Sequence, residues 1–214
     1  MLKNKEYIEE FQHLLLSLDR IEIEQFINRI KTKISLQDII NKIIFPALQN
    51  IGKLWSDGTL ALSQVYMSGK ICKDITDSLF PKESSQKKDF PKIGLCNLED
   101  HHPLGMQIIS SYLKAYGVYP IEYKVGITVE EMVNKIIEDK IRILLISTLM
   151  IRSVYKIEEL VNKIKQEGIE VSIIVGGAPF IFDPQLYEEV GADYMGSNAF
   201  ELLDIIYKLL KQDS

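Results

Sequence analysis

The chain reads as an all-helical half followed by an α/β half built on a five-stranded parallel sheet. Three observations predict this. Apolar residues recur at three- and four-residue spacing from Lys3 to about Phe80; a polar stretch bounded by prolines follows at 81–91; after it, five short β-branched runs alternate with amphipathic segments. The first pattern buries one stripe of each helix and leaves the other in water. The last is the mark of repeated βαβ units around a parallel sheet.

In the helical half the spacing predicts four helices, at about 4–18, 21–33, 36–54 and 60–80. The third opens on Ser35, whose hydroxyl is placed to accept an orphan N–H of the first turn, with Asp38 three residues on. It closes at the turn pair Asp57-Gly58. Pro46 lies inside it and predicts a kink or break near 42–46, because proline lacks the N–H that an interior helical position must donate. Residues 81–91 (PKESSQKKDFP) have the composition of a flexible linker, which divides the chain into 1–80 and 92–214.

In the second half, strands are expected at 92–98, 118–123, 143–149, 171–175 and 192–195, with helices at about 103–116, 129–138, 153–167, 184–190 and 198–211. Gly117, Gly168 and Gly191 stand where helix C-termini require a left-handed residue. A five-fold βα alternation commonly takes the flavodoxin-like strand order 2-1-3-4-5, a Rossmann-like arrangement. Strands 1, 3 and 4 then lie side by side, and the binding crevice is outside their carboxyl ends. The loops after those three strands are the place to look for function.

Composition narrows the function. At 214 residues, 46% hydrophobic and 26% charged, the chain has the profile of a soluble globular protein. A net charge of −5 argues against nucleic acid or an anionic membrane surface as partner, since both demand clustered positive charge. The apolar run at 143–146 is far shorter than the roughly 20 residues that span a bilayer. Two cysteines, Cys72 and Cys96, and no signal-peptide pattern predict free thiols in a reducing cytoplasm.

The three loops hold the chemistry. After strand 1 the chain reads Asp100-x-His102-x-x-Gly105; strand 3 ends in Ser147-Thr148-Leu149; strand 4 ends in Val175-Gly176-Gly177. Taken singly, each has an ordinary reading. Asp100 can cap the helix that begins near Pro103, with His102 a plain loop histidine. Gly176-Gly177 can be a simple turn, and it lacks the Gly-x-Gly-x-x-Gly spacing of a dinucleotide site. A zinc site from Cys96, Asp100, His101 and His102 has no second ligand pair at metal-binding spacing. A phospho-receiver would need a lysine after the last strand, where Gly196-Ser197-Asn198 stands instead.

Together, in this order, the three motifs resemble the cobalamin-binding domain family shared by methionine synthase, corrinoid methyl-carrier proteins and some cobalamin-dependent regulators. The helical half resembles the four-helix cap that accompanies this domain, notably from Pro46-Ala47-Leu48 to Leu54-Trp55. The resemblance implies a corrinoid cofactor, methylcobalamin or another corrinoid, with His102 replacing the cofactor's own base as the lower axial ligand of cobalt. Imidazole suits cobalt, and a carboxylate at Asp100 is placed to orient the ring through its other nitrogen. Gly105, Gly176 and Gly177 would let backbone approach the displaced nucleotide tail. Ser147 would offer it a hydroxyl, with Leu149 completing the motif.

On the upper face the resemblance points to Trp55, the single tryptophan, which by its helical position could equally be core. Light-sensing relatives carry a Glu-His pair ten and eleven residues further on; here Val65 and Tyr66 stand there, leaving Tyr66 and Met67 to shield the upper ligand. Two functions follow from the resemblance. The first is a methyl carrier acting between partner methyltransferases, a subunit of a methyltransferase system rather than a complete enzyme. The alternative is a light- or ligand-dependent sensor acting through a protein partner. Oligomeric state is not legible in the sequence.

Overall fold

The computed structural model describes residues 2–79 and 91–212. The stretch read as a linker lies, apart from Pro91, outside the described residues. The chain divides into two compact units, Met1–Ser84 and Ser85–Ser214.

The first unit is helical: α1 (Leu2–Ser17), α2 (Arg20–Ile30), α3 (Leu36–Ile39), a π-turn (Ile40–Ile44), α4 (Phe45–Ser56) and α5 (Leu62–Leu79). Leu18 takes a left-handed φ of 59° to end α1, and Asp19 then caps α2 by accepting the N–H groups of Ile21 and Glu22. Phe11 and Phe26 stack with ring centroids 5.5 Å apart, and Leu15, Ile30, Ile39, Ile43 and Ile51 are fully buried. Ser35 caps α3 by accepting the Asp38 N–H at 3.1 Å.

The helix expected over 36–54, with its kink or break near 42–46, is interrupted by the π-turn at Ile40–Ile44. Pro46 is the cause, because an α-helical path through it would need a donor that proline lacks and would press its ring on the Lys42 carbonyl. Phe45 reaches back five residues to the Ile40 carbonyl, which widens the turn, and Pro46 then sits in the first turn of α4, where no donor is required. The Asp57-Gly58 turn ends α4, with Gly58 at φ +75°.

The second unit carries β1 (Ile93–Cys96), α6 (Leu104–Ala115), β2 (Ile121–Glu122), α7 (Val129–Asp139), β3 (Ile143–Ser147), α8 (Ile151–Gln166), β4 (Ser172–Gly176), α9 (Ala178–Phe182), α10 (Leu186–Glu189), β5 (Tyr194–Gly196) and α11 (Ala199–Gln212). All five strands are parallel, in the order β2-β1-β3-β4-β5. The central strands bury every residue from Ile143 to Ile146 and from Ile173 to Val175, as a sheet covered on both faces requires.

The strands are shorter than their apolar runs. Pro120 has no N–H to give a sheet partner, so β2 starts only at Ile121. β3 ends at Ser147: the Thr148 N–H still reaches the Gly176 carbonyl, but those of Leu149 and Met150 turn to another acceptor, described below. Helix α9 was not expected. It forms directly after Gly177, with Pro179 in its first turn. Register sets the site: Cys96 pairs with Ile146 and Ser147 with Gly176, so β1, β3 and β4 end at nearly one level.

Candidate functional site

At that level the loop after β1 folds back on itself around one carboxylate. Asp100 is fully buried. Its Oδ1 accepts the His102 backbone N–H at 3.0 Å and faces His102 Nδ1 at 2.7 Å. Its Oδ2 accepts the N–H groups of Leu149 at 2.7 Å and Met150 at 3.0 Å, both just past β3. Burial alone would push this carboxyl up; the N–H groups of Met150 and Leu149 and the contacts with His102 outweigh it and hold the group below its ordinary range. The carboxylate therefore stays ionised and can only accept, which puts the proton of a neutral His102 on Nδ1 and leaves the Nε2 lone pair free. The His102 side chain is 46% exposed.

Asp100 is thus not the cap of α6. Pro103 occupies that position, with no side-chain bond to the first turn. The loop is held elsewhere too. Glu99 adopts a left-handed φ of 47°, its N–H donates to the Ile127 carbonyl, and its own carbonyl accepts the Ser153 hydroxyl. The His101 ring lies against Gly126. Asn97, not singled out in the sequence, is fully buried and donates from Nδ2 to the Ser147 carbonyl at 2.7 Å.

Gly176 and Gly177 answer a demand of the fold itself. A Cβ on Gly177, at φ +118°, would lie 1.9 Å from the Thr148 carbonyl oxygen, and one on Gly176 would lie 2.9 Å from that of Gly196. Their missing side chains let the ends of β3, β4 and β5 close on one another, a need that exists before any ligand arrives. Gly105 differs: its Cβ would meet only the Ser147 hydroxyl, at 2.8 Å, so these two residues face each other across the start of α6. Leu149 contributes to the Asp100 cluster through its backbone.

Among the described residues no group of three or more His, Cys, Asp or Glu side chains gathers to hold a metal ion. Cys96 is buried in β1, and burial pushes its thiol up to about 12. One exposed imidazole can ligate a metal only if something else fills the remaining positions, as a corrin ring does for cobalt. In the helical unit, Trp55 is half-buried near the end of α4 and Tyr66, on α5, is 50% exposed.

A B12 binding domain model matches residues 92–204, and a second B12 binding domain model matches residues 7–79. The chain belongs to the B12 binding domain family. Among proteins similar to this B12 binding chain is monomethylamine corrinoid protein 1 of Methanosarcina barkeri, 27% identical over 182 residues, covering 81% of this chain and 83% of the relative. A solved structure of a Methanosarcina barkeri monomethylamine corrinoid protein superposes with a TM-score of 0.80 at 23% identity, covering 96% of this chain and 99% of that one. The methanol:cobalamin methyltransferase complex MtaBC from the same organism contains a chain that matches at TM-score 0.50 and 17% identity, over 96% of this chain and 80% of that one.

Cobalamin is the cofactor of this family, and the residues at the strand ends fit it. They offer one imidazole with its distal nitrogen free and a small hydroxyl facing a glycine.

Proposed function

We propose that this chain is a corrinoid methyl carrier, holding cobalamin with His102 as the lower axial ligand of cobalt and serving partner methyltransferases. The observation that carries the reading is the Asp100–His102 pair: a buried ionised carboxylate fixes the tautomer of a half-exposed imidazole and aims its only lone pair outward. When bound, the cofactor supplies a cobalt that can take up a methyl group and give it away. The chain's residues hold the metal's lower side. Asp100 keeps the proton on Nδ1 and strengthens the ring as a donor, while Gly105 and Ser147 leave space and a hydroxyl beside it for the nucleotide tail.

From the helical unit we assign Trp55 and Tyr66 to the cofactor's contacts, a reading supported by the exposed phenol of Tyr66. The acid beside the imidazole, Asp100, is already committed to His102, Leu149 and Met150, which favours a carrier over a complete enzyme. The names of the similar corrinoid proteins and of the methyltransferase complex point the same way. Free buried thiols at Cys72 and Cys96 suit a reducing cytoplasm, and no helix among the described residues is long and apolar enough to cross a membrane.

The test is an absorption spectrum after reconstitution with hydroxocobalamin. The wild type should show cobalt with the cofactor's own base off and a histidine on, and His102→Ala should lose that character. Unchanged spectra would remove the lower-ligand assignment. Reduced holoprotein given methyl donors and candidate methyltransferases should then acquire the methylcobalamin spectrum; a protein that never does so, and instead changes oligomeric state on illumination, is a sensor.

A further inference from the structure

Asn97 stands one residue past β1, level with Ser147 on the neighbouring strand, and is fully buried. Its Nδ2 donates to the Ser147 carbonyl at 2.7 Å and more weakly to the His102 carbonyl at 3.5 Å. Its own carbonyl accepts the Gly126 N–H at 3.1 Å. One residue therefore ties together the His102 loop, the end of β3 and the loop after β2.

Its Oδ1 is buried without a partner. Turning the amide over does not help, because Oδ1 would then face two carbonyl oxygens and the NH2 group would be the orphan. A buried unsatisfied acceptor costs stability, and leucine, of similar shape, would remove it. The two donated bonds are what asparagine offers in return.

We propose that Asn97 is a positioning residue for His102. Asp100 links the imidazole to Leu149 and Met150, which are themselves loop; Asn97 links the His102 backbone to Ser147, which belongs to the sheet. With both attachments the ring has one height and one tilt above the strand ends. With Asp100 alone the loop can rise or twist while the carboxylate follows it. Asn97 thereby sets how firmly Nε2 engages cobalt. This rests on the reading of His102 as the lower ligand.

The experiment uses Asn97→Leu and Asn97→Asp, reconstituted with hydroxocobalamin, reduced to Co(II) and examined by electron paramagnetic resonance. In protein grown on 15N-histidine, where the cofactor's own 14N base would split each cobalt line into three, an axial histidine nitrogen splits it into two. The wild type should show that splitting for nearly all its cobalt, and both variants for less than half, while the apo Asn97→Leu protein melts within a few degrees of wild type. Full splitting in a folded variant overturns the proposal. If the leucine variant does not fold, Asn97→Ser, too short to reach either carbonyl, takes its place, and full splitting there overturns the proposal equally. His102→Ala separates the two ideas: splitting that persists in it sinks the lower-ligand reading and this proposal together, whereas splitting lost in it but retained in the Asn97 variants sinks the proposal alone.

Discussion

One carboxylate joins His102 to Leu149: Asp100 faces the imidazole Nδ1 at 2.7 Å with one oxygen and accepts the Leu149 N–H at 2.7 Å with the other. The residues are far apart in sequence and meet only because β1 and β3 are adjacent. Asp100→Asn should therefore destabilise the apo protein by about 2–3 kcal/mol in urea unfolding. It replaces a charged acceptor by an amide whose NH2 must face N–H groups. A change below about 0.5 kcal/mol would mean that the cluster adds nothing to the fold.

The same carboxylate makes stability depend on acid. Its folded-state pKa lies below its unfolded value of about 3.9. The stabilisation is therefore fully present above that value and is lost as the pH falls through the lower, folded one. The stability difference between wild type and Asp100→Asn should shrink as the pH falls from about 5 to below about 4. Urea titrations of both proteins at several pH values check this; a difference that grows as the pH falls contradicts it.

How much of this was legible in the sequence depends on the range over which each feature is decided. The parallel order β2-β1-β3-β4-β5 followed from alternation alone, because βα crossovers leave few topologies. Pro46 foretold a break without foretelling its form, since whether a helix kinks or widens into a π-turn depends on the packing of Ile40, Ile43 and Ile44 around it. The Asp-x-His-x-x-Gly, Ser-x-Leu and Gly-Gly motifs located the strand ends, but not what Leu149 does there, because its backbone N–H carries no sequence signature.

Asn97 escaped notice for a related reason. An asparagine after a strand is ordinary turn chemistry, and only its burial and the Ser147 carbonyl opposite distinguish it. Gly176 and Gly177 were recognisable as required glycines while the thing they make room for was not. The sequence pattern suggests a ligand; the close neighbours are the chain's own carbonyls.

That distinction is testable without cofactor. Gly177→Ala must place a methyl on the Thr148 carbonyl from a φ of +118°, a region open essentially to glycine. It should cost at least about 3 kcal/mol in the apo protein, or prevent folding. Gly52→Ala, in the middle of α4 with nothing within 4 Å of its added carbon, is the control. There the lost chain entropy of glycine favours alanine, and stability should rise by about 0.5–1 kcal/mol. Equal, small effects at both positions on thermal melting would show that the strand ends do not need the close approach of Gly177 to Thr148.

Gly105 and Ser147 should behave as a pair toward cofactor rather than toward folding. An added methyl on Gly105 meets only the Ser147 hydroxyl, which can rotate away, so Gly105→Ala should change apo stability by no more than about 1 kcal/mol. Rotation has a consequence for binding, because it turns the hydroxyl out of the position from which it would meet a ligand. Ser147→Ala removes the same hydroxyl without moving it. The two substitutions therefore take away one interaction by different routes, and the loss caused by Gly105→Ala should be smaller when Ser147 is already alanine. In a double-mutant cycle on hydroxocobalamin affinity the coupling should reach about 1 kcal/mol, a roughly fivefold departure from additivity. Strictly additive losses would mean that the methyl on Gly105 obstructs the cofactor directly, and that the facing hydroxyl plays no part in holding it.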